Sequence, residues 1–183
     1  MTYLESSPHR KEKNTSKSNL SVRVLSTPIG LIKLTAEDGH IISCQRHKGA
    51  LTLRAVRNIP TLDARALDRA ERQIQEFFHG KRRSFQLPLK LVGPEFHQAV
   101  WKEMLKIPFG ETVSYKELAK KAGRPRAARA VGQACNKNPL LLLNPCHRVL
   151  ASNGGLGGFA LGLTVKRQLL RHEGATYATH QQK

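Results

Sequence analysis

Residues 140–150 read LLLLNPCHRVL, and the rest of the chain is organised around this stretch. The leucines lead into Cys146, and a glycine-rich turn at residues 154–158 follows it, so the cysteine leaves a buried segment and enters one that must bend. A reactive side chain at the mouth of an apolar segment is typical of a nucleophile held rigidly at the edge of a core. A buried free cysteine beside a surface histidine, His147, is the commoner arrangement for a lone cysteine. The motif alone leaves both interpretations open.

Composition limits the class of protein. The chain has 183 residues, enough for one large or two small domains to bury a core. We expect a soluble cytoplasmic protein, or a nuclear one in a eukaryote, because the sequence shows neither a membrane-spanning apolar run nor a secretory leader. Cys44, Cys135 and Cys146 are widely spaced, which fits a reducing compartment better than a disulfide framework or a zinc site.

The net charge of the chain indicates what kind of partner it binds. A formal net charge of +18 predicts binding to a polyanion through phosphate contacts and counterion release, although a basic surface can also serve solubility alone. Carboxylates are sparse beyond residue 90, whereas a two-metal nuclease or polymerase needs a cluster of them. We therefore expect no metal and no metal-dependent phosphodiester chemistry.

Composition also divides the chain into a tail, two domains and a second tail, at residues 1–19, 20–92, 93–175 and 176–183. The polar first and last segments predict a disordered tail and a flexible tail. Gly93 and Pro94 mark the boundary between the domains. The predicted fold class is α+β, with a small antiparallel sheet and a helix in the first domain and mostly helices in the second.

Strands in the first domain are predicted from alternating apolar residues, at residues 21–25, 31–34 and 41–44. Apolar residues at four-residue spacing predict a helix over residues 61–78. Residues 85–91 also alternate, and Pro88 would place that strand at an edge of the sheet because proline cannot donate a hydrogen bond. Nothing in this domain forms a catalytic cluster, and we interpret Cys44 as a core residue.

The sequence of the second domain predicts a helix-turn-helix. Ser114 and Glu117 form a capping box that begins a helix ending at Gly123, and Pro125 is well placed as first residue of the next helix, which runs to about Cys135. Alanines keep this second helix slim, with Arg129 projecting from it. Such a helix suits a narrow groove and one inserted side chain better than reading of base edges, and close helix packing is the alternative explanation.

The last predicted helix covers residues 163–173 and ends on Glu173. The helix dipole disfavours a carboxylate at this end, so we expect Glu173 to serve a function, such as orienting a histidine, or else to be an incidental surface residue. A basic helix-turn-helix, a slim helix with one arginine and a cysteine at the edge of a core suggest a protein that holds DNA, extracts one base and attacks a group attached to it.

These motifs resemble the C-terminal domain of the methylated-DNA–protein-cysteine methyltransferases, also called O6-alkylguanine-DNA alkyltransferases. The matching runs are FGETVSY at 109–115, AARAVG at 127–132, NP at 138–139, PCHRV at 145–149 and LLRHEG at 169–174. PCHRV with RAVG upstream at this distance is a highly specific combination. The first domain resembles the family only in size and element order, and the family's ribonuclease-H-like N-terminal domain is compatible with the strands predicted above.

The resemblance implies a single-use repair reaction that needs no cofactor. Cys146 corresponds to the nucleophile that takes the alkyl group from O6-alkylguanine, and also from O4-alkylthymine, in double-stranded DNA. His147 would act as a base through a water, oriented by Glu173, so that the thiol becomes thiolate-like at neutral pH. Asn138 matches the residue that links the recognition helix to the site. Tyr115 matches the residue that crowds the target phosphate and assists protonation of the leaving guanine.

The resemblance also implies a set of DNA and base contacts made by one monomer. Arg129 matches the finger that fills the vacated base stack. The other residues that the resemblance assigns to DNA are Tyr115, Lys116, Arg124 and Ser152, and those that it assigns to the base pocket are Val149, Phe159 and Ala160.

Two other classes of protein remain as alternatives. A non-catalytic relative that binds alkylguanine and recruits repair factors would lack the cysteine. A helix-turn-helix regulator would need polar side chains that contact base edges and usually a dimer interface, and neither is evident in the sequence.

Departures from the family pattern predict a changed range of substrates. Phe159 stands where tyrosine is usual, Leu161 where a small residue is usual, and Asn144 where aliphatic residues are frequent. We expect intact chemistry but a different fit of O6 adducts, and a Leu161→Gly variant should accept O6-benzylguanine more readily, relative to O6-methylguanine in DNA. Reaction rates of both proteins with both substrates test this. If the wild-type protein took benzylguanine as readily as the variant does, the prediction would fail.

Overall fold

The computed structural model describes residues 20–49 and 59–178. The tail predicted over residues 1–19 and the last five residues lie outside this part of the chain. The described part combines a three-stranded antiparallel sheet and a long helix with a mostly helical second half, which confirms the predicted α+β class.

The sheet has the order β1-β2-β3, formed by β1 (Ser21–Thr27), β2 (Gly30–Glu37) and β3 (His40–Arg46). All three predicted strands are present and extend beyond their predicted limits. Asp38 and Gly39 make the turn between β2 and β3, both with positive φ, as a tight hairpin requires.

Helix α1 (Thr61–Phe78) matches the predicted span and covers one face of the sheet. Its buried Asp63 accepts hydrogen bonds from the Ser21 hydroxyl and the Gly39 amide, both at 2.7 Å. One carboxylate therefore ties the helix to the first strand and to the β2–β3 turn.

The strand predicted over residues 85–91 is wrong. This segment makes a single bridge to β3, in which Ile41 donates to the Pro88 carbonyl at 2.8 Å and accepts from the Lys90 amide at 3.0 Å. Its alternating apolar side chains instead pack on the core beneath α1, and the Phe85 ring lies 5.4 Å from that of Phe77. The alternating apolar pattern reflects burial of one side of the segment. Burial of one side does not require the segment to be hydrogen-bonded to a neighbouring strand.

The described second half contains four α-helices, a short 3₁₀ helix and a two-stranded parallel pairing. The elements are α2 (Glu95–Met104), β4 (Val113–Ser114), α3 (Tyr115–Lys121), α4 (Ala128–Asn136), β5 (Val149–Leu150) and α5 (Leu163–His172). The β4–β5 pairing was not predicted, because two-residue strands leave no alternation to detect.

The helix-turn-helix pair is formed by α3 and α4. The predicted capping box is confirmed: the Ser114 hydroxyl accepts from the Glu117 amide at 3.1 Å, and the Glu117 carboxylate accepts from the Ser114 amide at 2.7 Å. Helix α4 begins at Ala128 and not at Pro125, because the chain first makes a turn in which the Ala127 amide donates to the Arg124 carbonyl at 2.9 Å.

The leucine run is shared between two cores. Leu140, Leu142 and Leu143 belong to the core beneath the sheet and α1, whereas Leu141 belongs to the core among α2, α3 and α4. Strand β3 also holds the run by its backbone, since Cys44 donates to the Pro139 carbonyl and accepts from the Leu141 amide, both at 2.8 Å. Both halves of the molecule thus fix the segment that delivers Cys146.

Replacing Ser114 by alanine should lower the free energy of unfolding by about 1 kcal/mol, because the amide that it caps loses its partner. Urea unfolding of Ser114→Ala, compared with Ser84→Ala at an exposed position, measures the difference. Equal stability of the two variants would show that the cap contributes nothing.

Candidate functional site

Cys146 opens a short 3₁₀ helix, Cys146–Arg148, that runs directly into β5. Its side chain is buried against the α2–α4 core, and the residue is only 4% exposed. His147 is fully buried as well, so the interpretation with a surface histidine is wrong. The proline before the cysteine and the strand after it fix the position of the sulfur.

His147 is paired with Glu173, the residue that caps the C-terminus of α5. The Nε2 atom of His147 lies 2.8 Å from the Glu173 carboxylate. Burial alone would raise the pKa of Glu173, but hydrogen bonds from His147 and Arg148 outweigh it and lower the pKa to about 2. The carboxylate is therefore charged at neutral pH and acts only as an acceptor.

The tautomer of His147 follows from this pairing. Because the carboxylate only accepts, Nε2 carries the hydrogen and Nδ1 carries the lone pair. Burial lowers the pKa of His147 against the opposing effect of Glu173, which favours the neutral ring. Nδ1 is buried and makes no hydrogen bond within the described residues. The ring can therefore accept a proton at Nδ1.

Arg148 completes the cluster, and the sequence reasoning assigned it no role. Its Nε and Nη2 atoms donate to the two Glu173 carboxylate oxygens at 2.8 and 2.9 Å. Nη1 donates to the Ile107 carbonyl at 2.6 Å, and the Gly110 amide adds a fourth bond to Glu173 at 3.2 Å. The sequence offered one clue, because Arg148 directly follows Cys146 and His147. Arginine is the side chain that binds a carboxylate through two parallel hydrogen bonds.

The thiol itself is held in its neutral form. Burial raises the pKa of Cys146, while a hydrogen bond with Asn138 and the charge of Lys166 partly oppose that rise. The resemblance implies a thiolate-like cysteine, and burial opposes that state, so a proton acceptor is needed to create it.

Asn138 lies just beyond α4 and connects that helix to the turn before Cys146. Its side chain donates to the Asn144 carbonyl at 2.8 Å and accepts from the Leu140 amide at 3.1 Å. The residue is 4% exposed. A displacement of α4 would thus be transmitted directly to the segment that carries the sulfur.

Tyr115 begins α3 and lies against the glycine-rich turn. Its hydroxyl donates to the Gly158 carbonyl at 3.4 Å, and a Cβ atom at Gly157 would lie 2.9 Å from its ring. Only glycine fits at position 157, where φ is +63°. Burial raises the pKa of Tyr115 to about 12, so the hydroxyl remains protonated at neutral pH and can donate a hydrogen bond.

The remaining candidate residues divide by exposure. The exposed ones lie on α3, the turn after it, α4 and the loop after β5, and they are Lys116, Arg124, Arg129 and Ser152. Ala160 is exposed and Phe159 is half-buried, both beyond the glycine-rich turn. Val149 is fully buried, so the structure does not expose it at the surface.

Lys166 is a second buried cation that the sequence reasoning missed. It lies on the inner face of α5 with Leu169 and Leu170. The clue in the sequence was that Lys166 occupies a position of α5 at which the helical spacing predicts an apolar residue facing the core.

Neither a metal-binding cluster nor a membrane-spanning helix is found among the described residues. No group of three or more His, Cys, Asp or Glu side chains in this part of the chain could hold a metal ion. None of its helices is long and apolar enough to cross a membrane. The cysteines at positions 44, 135 and 146 are all buried and free.

A buried cysteine beside a His–Glu pair, next to a helix-turn-helix, is the combination expected of a DNA-binding protein that reacts through a thiol. Comparison with known families agrees: residues 95–175 match the DNA-binding domain of the 6-O-methylguanine DNA methyltransferases, and residues 20–91 match their ribonuclease-like domain. The chain belongs to the methylated-DNA–protein-cysteine methyltransferase family.

Individual relatives support this assignment. The chain is 40% identical over 151 residues to the methylated-DNA–protein-cysteine methyltransferase of Mycobacterium bovis, covering 82% of this chain and 90% of that protein. It is 50% identical over 104 residues to the protein of the same name from Methanosarcina barkeri, covering 57% of this chain and 66% of the relative. The crystal structure of Mycobacterium tuberculosis OGT in complex with DNA superposes with a TM-score of 0.73 at 36% identity, covering 84% of this chain and 92% of that chain.

Replacing Glu173 by glutamine should destabilise the protein by about 3 to 5 kcal/mol at neutral pH, because Arg148 becomes an unpaired buried charge. The pH dependence should change as well. In the wild-type protein the folded pKa of about 2 lies below the ordinary 4.5, so the stabilisation is present above pH 4.5 and is lost as the pH falls toward 2. Glu173→Gln should lack this acid-dependent loss.

Chemical denaturation at several pH values measures both effects, with Glu111→Gln at an exposed position as the control. A Glu173→Gln variant as stable as that control at neutral pH would contradict the assigned pairing.

Proposed function

We propose that the protein repairs DNA by transferring the alkyl group of O6-alkylguanine irreversibly to Cys146, once per molecule. The observation that carries this proposal is the buried sulfur beside the His147–Glu173 pair in a chain of this family. We include O4-alkylthymine as a second substrate, because it carries a comparable alkyl group on an exocyclic oxygen of the base.

The reaction is a displacement in which the Cys146 sulfur attacks the alkyl carbon and the bond from that carbon to the guanine oxygen breaks. The thiol proton passes to Nδ1 of His147 through a water, and Glu173 stabilises the imidazolium that forms. The leaving guanine takes a proton from the Tyr115 hydroxyl, which regains one from solvent while the imidazolium releases one, so the proton lost by the thiol is balanced by the one that guanine gains. The product is a thioether, which has no low-energy leaving route in water, so each molecule is consumed.

Burial of the nucleophile requires the base to come to it. A base stacked in a duplex cannot reach a sulfur on a residue that is 4% exposed, so the target nucleotide must turn out of the stack. Arg129 is exposed on α4 and can fill the space that the base leaves, and Tyr115 can crowd the phosphate that turns. The net charge of +18 supports binding to DNA, and we infer that one monomer binds double-stranded DNA.

Incubating the protein with a duplex that carries one O6-methylguanine should add one methyl group to the protein, on the peptide that contains Cys146. Intact-protein and peptide mass spectrometry measure this gain. Cys146→Ala should bind the duplex but leave the lesion unrepaired, since no other side chain can take its place.

Cys135→Ala is the matched control, because it removes a different buried thiol and keeps the nucleophile. No methyl gain on Cys146, or repair by Cys146→Ala at the wild-type level, would overturn the proposal. Tight binding of the lesion by the wild-type protein without any transfer would instead identify a non-catalytic alkylguanine-binding protein.

A further inference from the structure

Asn144 places a buried amide two positions before the nucleophile. The residue is 0% exposed, and its backbone carbonyl accepts from the Cys146 amide at 2.9 Å. Its side-chain Nδ2 atom donates to the Trp101 carbonyl in the last turn of α2 at 3.2 Å. Asn144 therefore joins the turn before Cys146 to α2, as Asn138 joins the same turn to α4.

The second polar atom of this amide has no partner. The Oδ1 atom of Asn144 is buried and makes no hydrogen bond within the described residues. Turning the amide over would not help, because Oδ1 would then face the Trp101 carbonyl, and two acceptors cannot bond to each other. A buried acceptor without a partner lowers the stability of a protein, whereas an aliphatic side chain of the same shape does not. Stability therefore does not account for an asparagine at this position.

The segment that Asn144 holds is strained. Residues 141–145 form tight turns and belong to no helix or strand. The Leu143 amide donates to the Leu141 carbonyl at 2.8 Å, and Leu142 between them has a φ of +69°, in the left-handed region that leucine rarely adopts. Such a conformation persists only where its surroundings hold it. The turn that delivers the sulfur therefore needs restraints from other elements.

Trp101 extends the contact of Asn144 to the helix-turn-helix. The Trp101 indole nitrogen donates to the Ala134 carbonyl of α4 at 2.8 Å. At the end of the same helix, Asn138 donates to the Asn144 carbonyl at 2.8 Å. Helix α4 thus reaches Asn144 by two routes, at its backbone through Asn138 and at its side chain through α2.

We propose that Asn144 is a positioning residue for alkyl transfer, which fixes the turn before Cys146 to α2 so that α4, when it binds DNA, sets the position of the sulfur. This inference rests on the proposed function. It implies that the Asn144 amide lowers stability and raises the transfer rate. A side chain with a merely structural role would not have these opposite effects.

The test replaces the Asn144 amide by aliphatic groups. Asn144→Leu keeps the branched shape, and the smaller Asn144→Val covers the case in which leucine is overpacked. Both variants lose the donor to Trp101 together with the unpaired acceptor. The more stable of the two should have a free energy of unfolding in urea that equals or exceeds that of the wild-type protein.

Methyl transfer should change in the opposite direction. In single-turnover reactions with a duplex that carries O6-methylguanine, both variants should be slowed by about tenfold or more at saturating protein, because the sulfur is less well placed for attack. The protein concentration that gives half of the maximal rate should stay at the wild-type value, because no contact to DNA is removed.

Trp101→Phe tests the route to α4. It removes the indole donor to Ala134 and keeps the backbone carbonyl to which Asn144 donates. If the two residues belong to one route, the double variant Trp101→Phe/Asn144→Leu should be slowed no more than the slower single variant. Independent residues would instead slow the double variant by the product of the two single effects.

Gln73→Leu is the matched control, because it also replaces a buried amide by leucine. Both polar atoms of Gln73 are paired with the backbone of Gln86, at 3.0 and 2.8 Å, in the first domain. This control should lower the free energy of unfolding and leave the transfer rate unchanged.

The outcomes separate this inference from the proposed function. No methyl transfer by the wild-type protein would overturn both. Normal wild-type transfer together with wild-type rates in the aliphatic variants would overturn only the role of Asn144. That role would also be overturned if both aliphatic variants were less stable than the wild-type protein or did not fold, since the amide would then be structural. A slow rate that higher protein concentration restores, or independent effects in the double variant, would do the same.

Discussion

The Glu173 carboxylate joins three separate parts of the second half of the molecule. Glu173 stands at the C-cap position of α5, and its carboxylate accepts from His147 and Arg148 of the 3₁₀ helix and from the Gly110 amide of the loop before β4. A buried carboxylate is stable only when every oxygen is paired, and here each oxygen receives two hydrogen bonds. The same four bonds set the tautomer of His147. The packing of the second half and the proton transfer that we propose therefore depend on a single ion cluster.

Strong local signals in the sequence predicted most of the fold. The β2–β3 turn and the capping box at Ser114 are fixed by residues a few positions apart, so they could be identified without tertiary information. The strand predicted over residues 85–91 failed because one-sided burial and strand pairing give the same alternation. The start of α4 was misplaced because Pro125 fits a turn as well as the first turn of a helix. The β4–β5 pairing is a tertiary contact between segments that carry no strand pattern of their own.

The sequence could predict those site residues whose chemical role follows from their residue type and their position in a motif. Cys146, His147 and Glu173 could be named from the sequence, and the structure brings the histidine and the glutamate together across 26 positions. The partners that the sequence did not reveal are cations whose role depends on distant acceptors. Arg148 contacts a carboxylate in another element, and Lys166 contacts three carbonyls that no sequence pattern marks. The resemblance named the candidate reacting groups, and only the three-dimensional contacts showed which residues hold them in place.

Burial of the nucleophile has two opposing effects in the proposed reaction. It raises the pKa of the Cys146 thiol, which protects the sulfur from soluble electrophiles and oxidants, since the thiolate is the reactive form. It also makes the ionised sulfur harder to create when a substrate is bound. A protein that reacts once gains more from protection than a multiple-turnover enzyme would, because an accidental modification destroys it. In the proposed reaction, neutral His147 offsets part of the cost of ionisation because its Nδ1 atom can take the thiol proton.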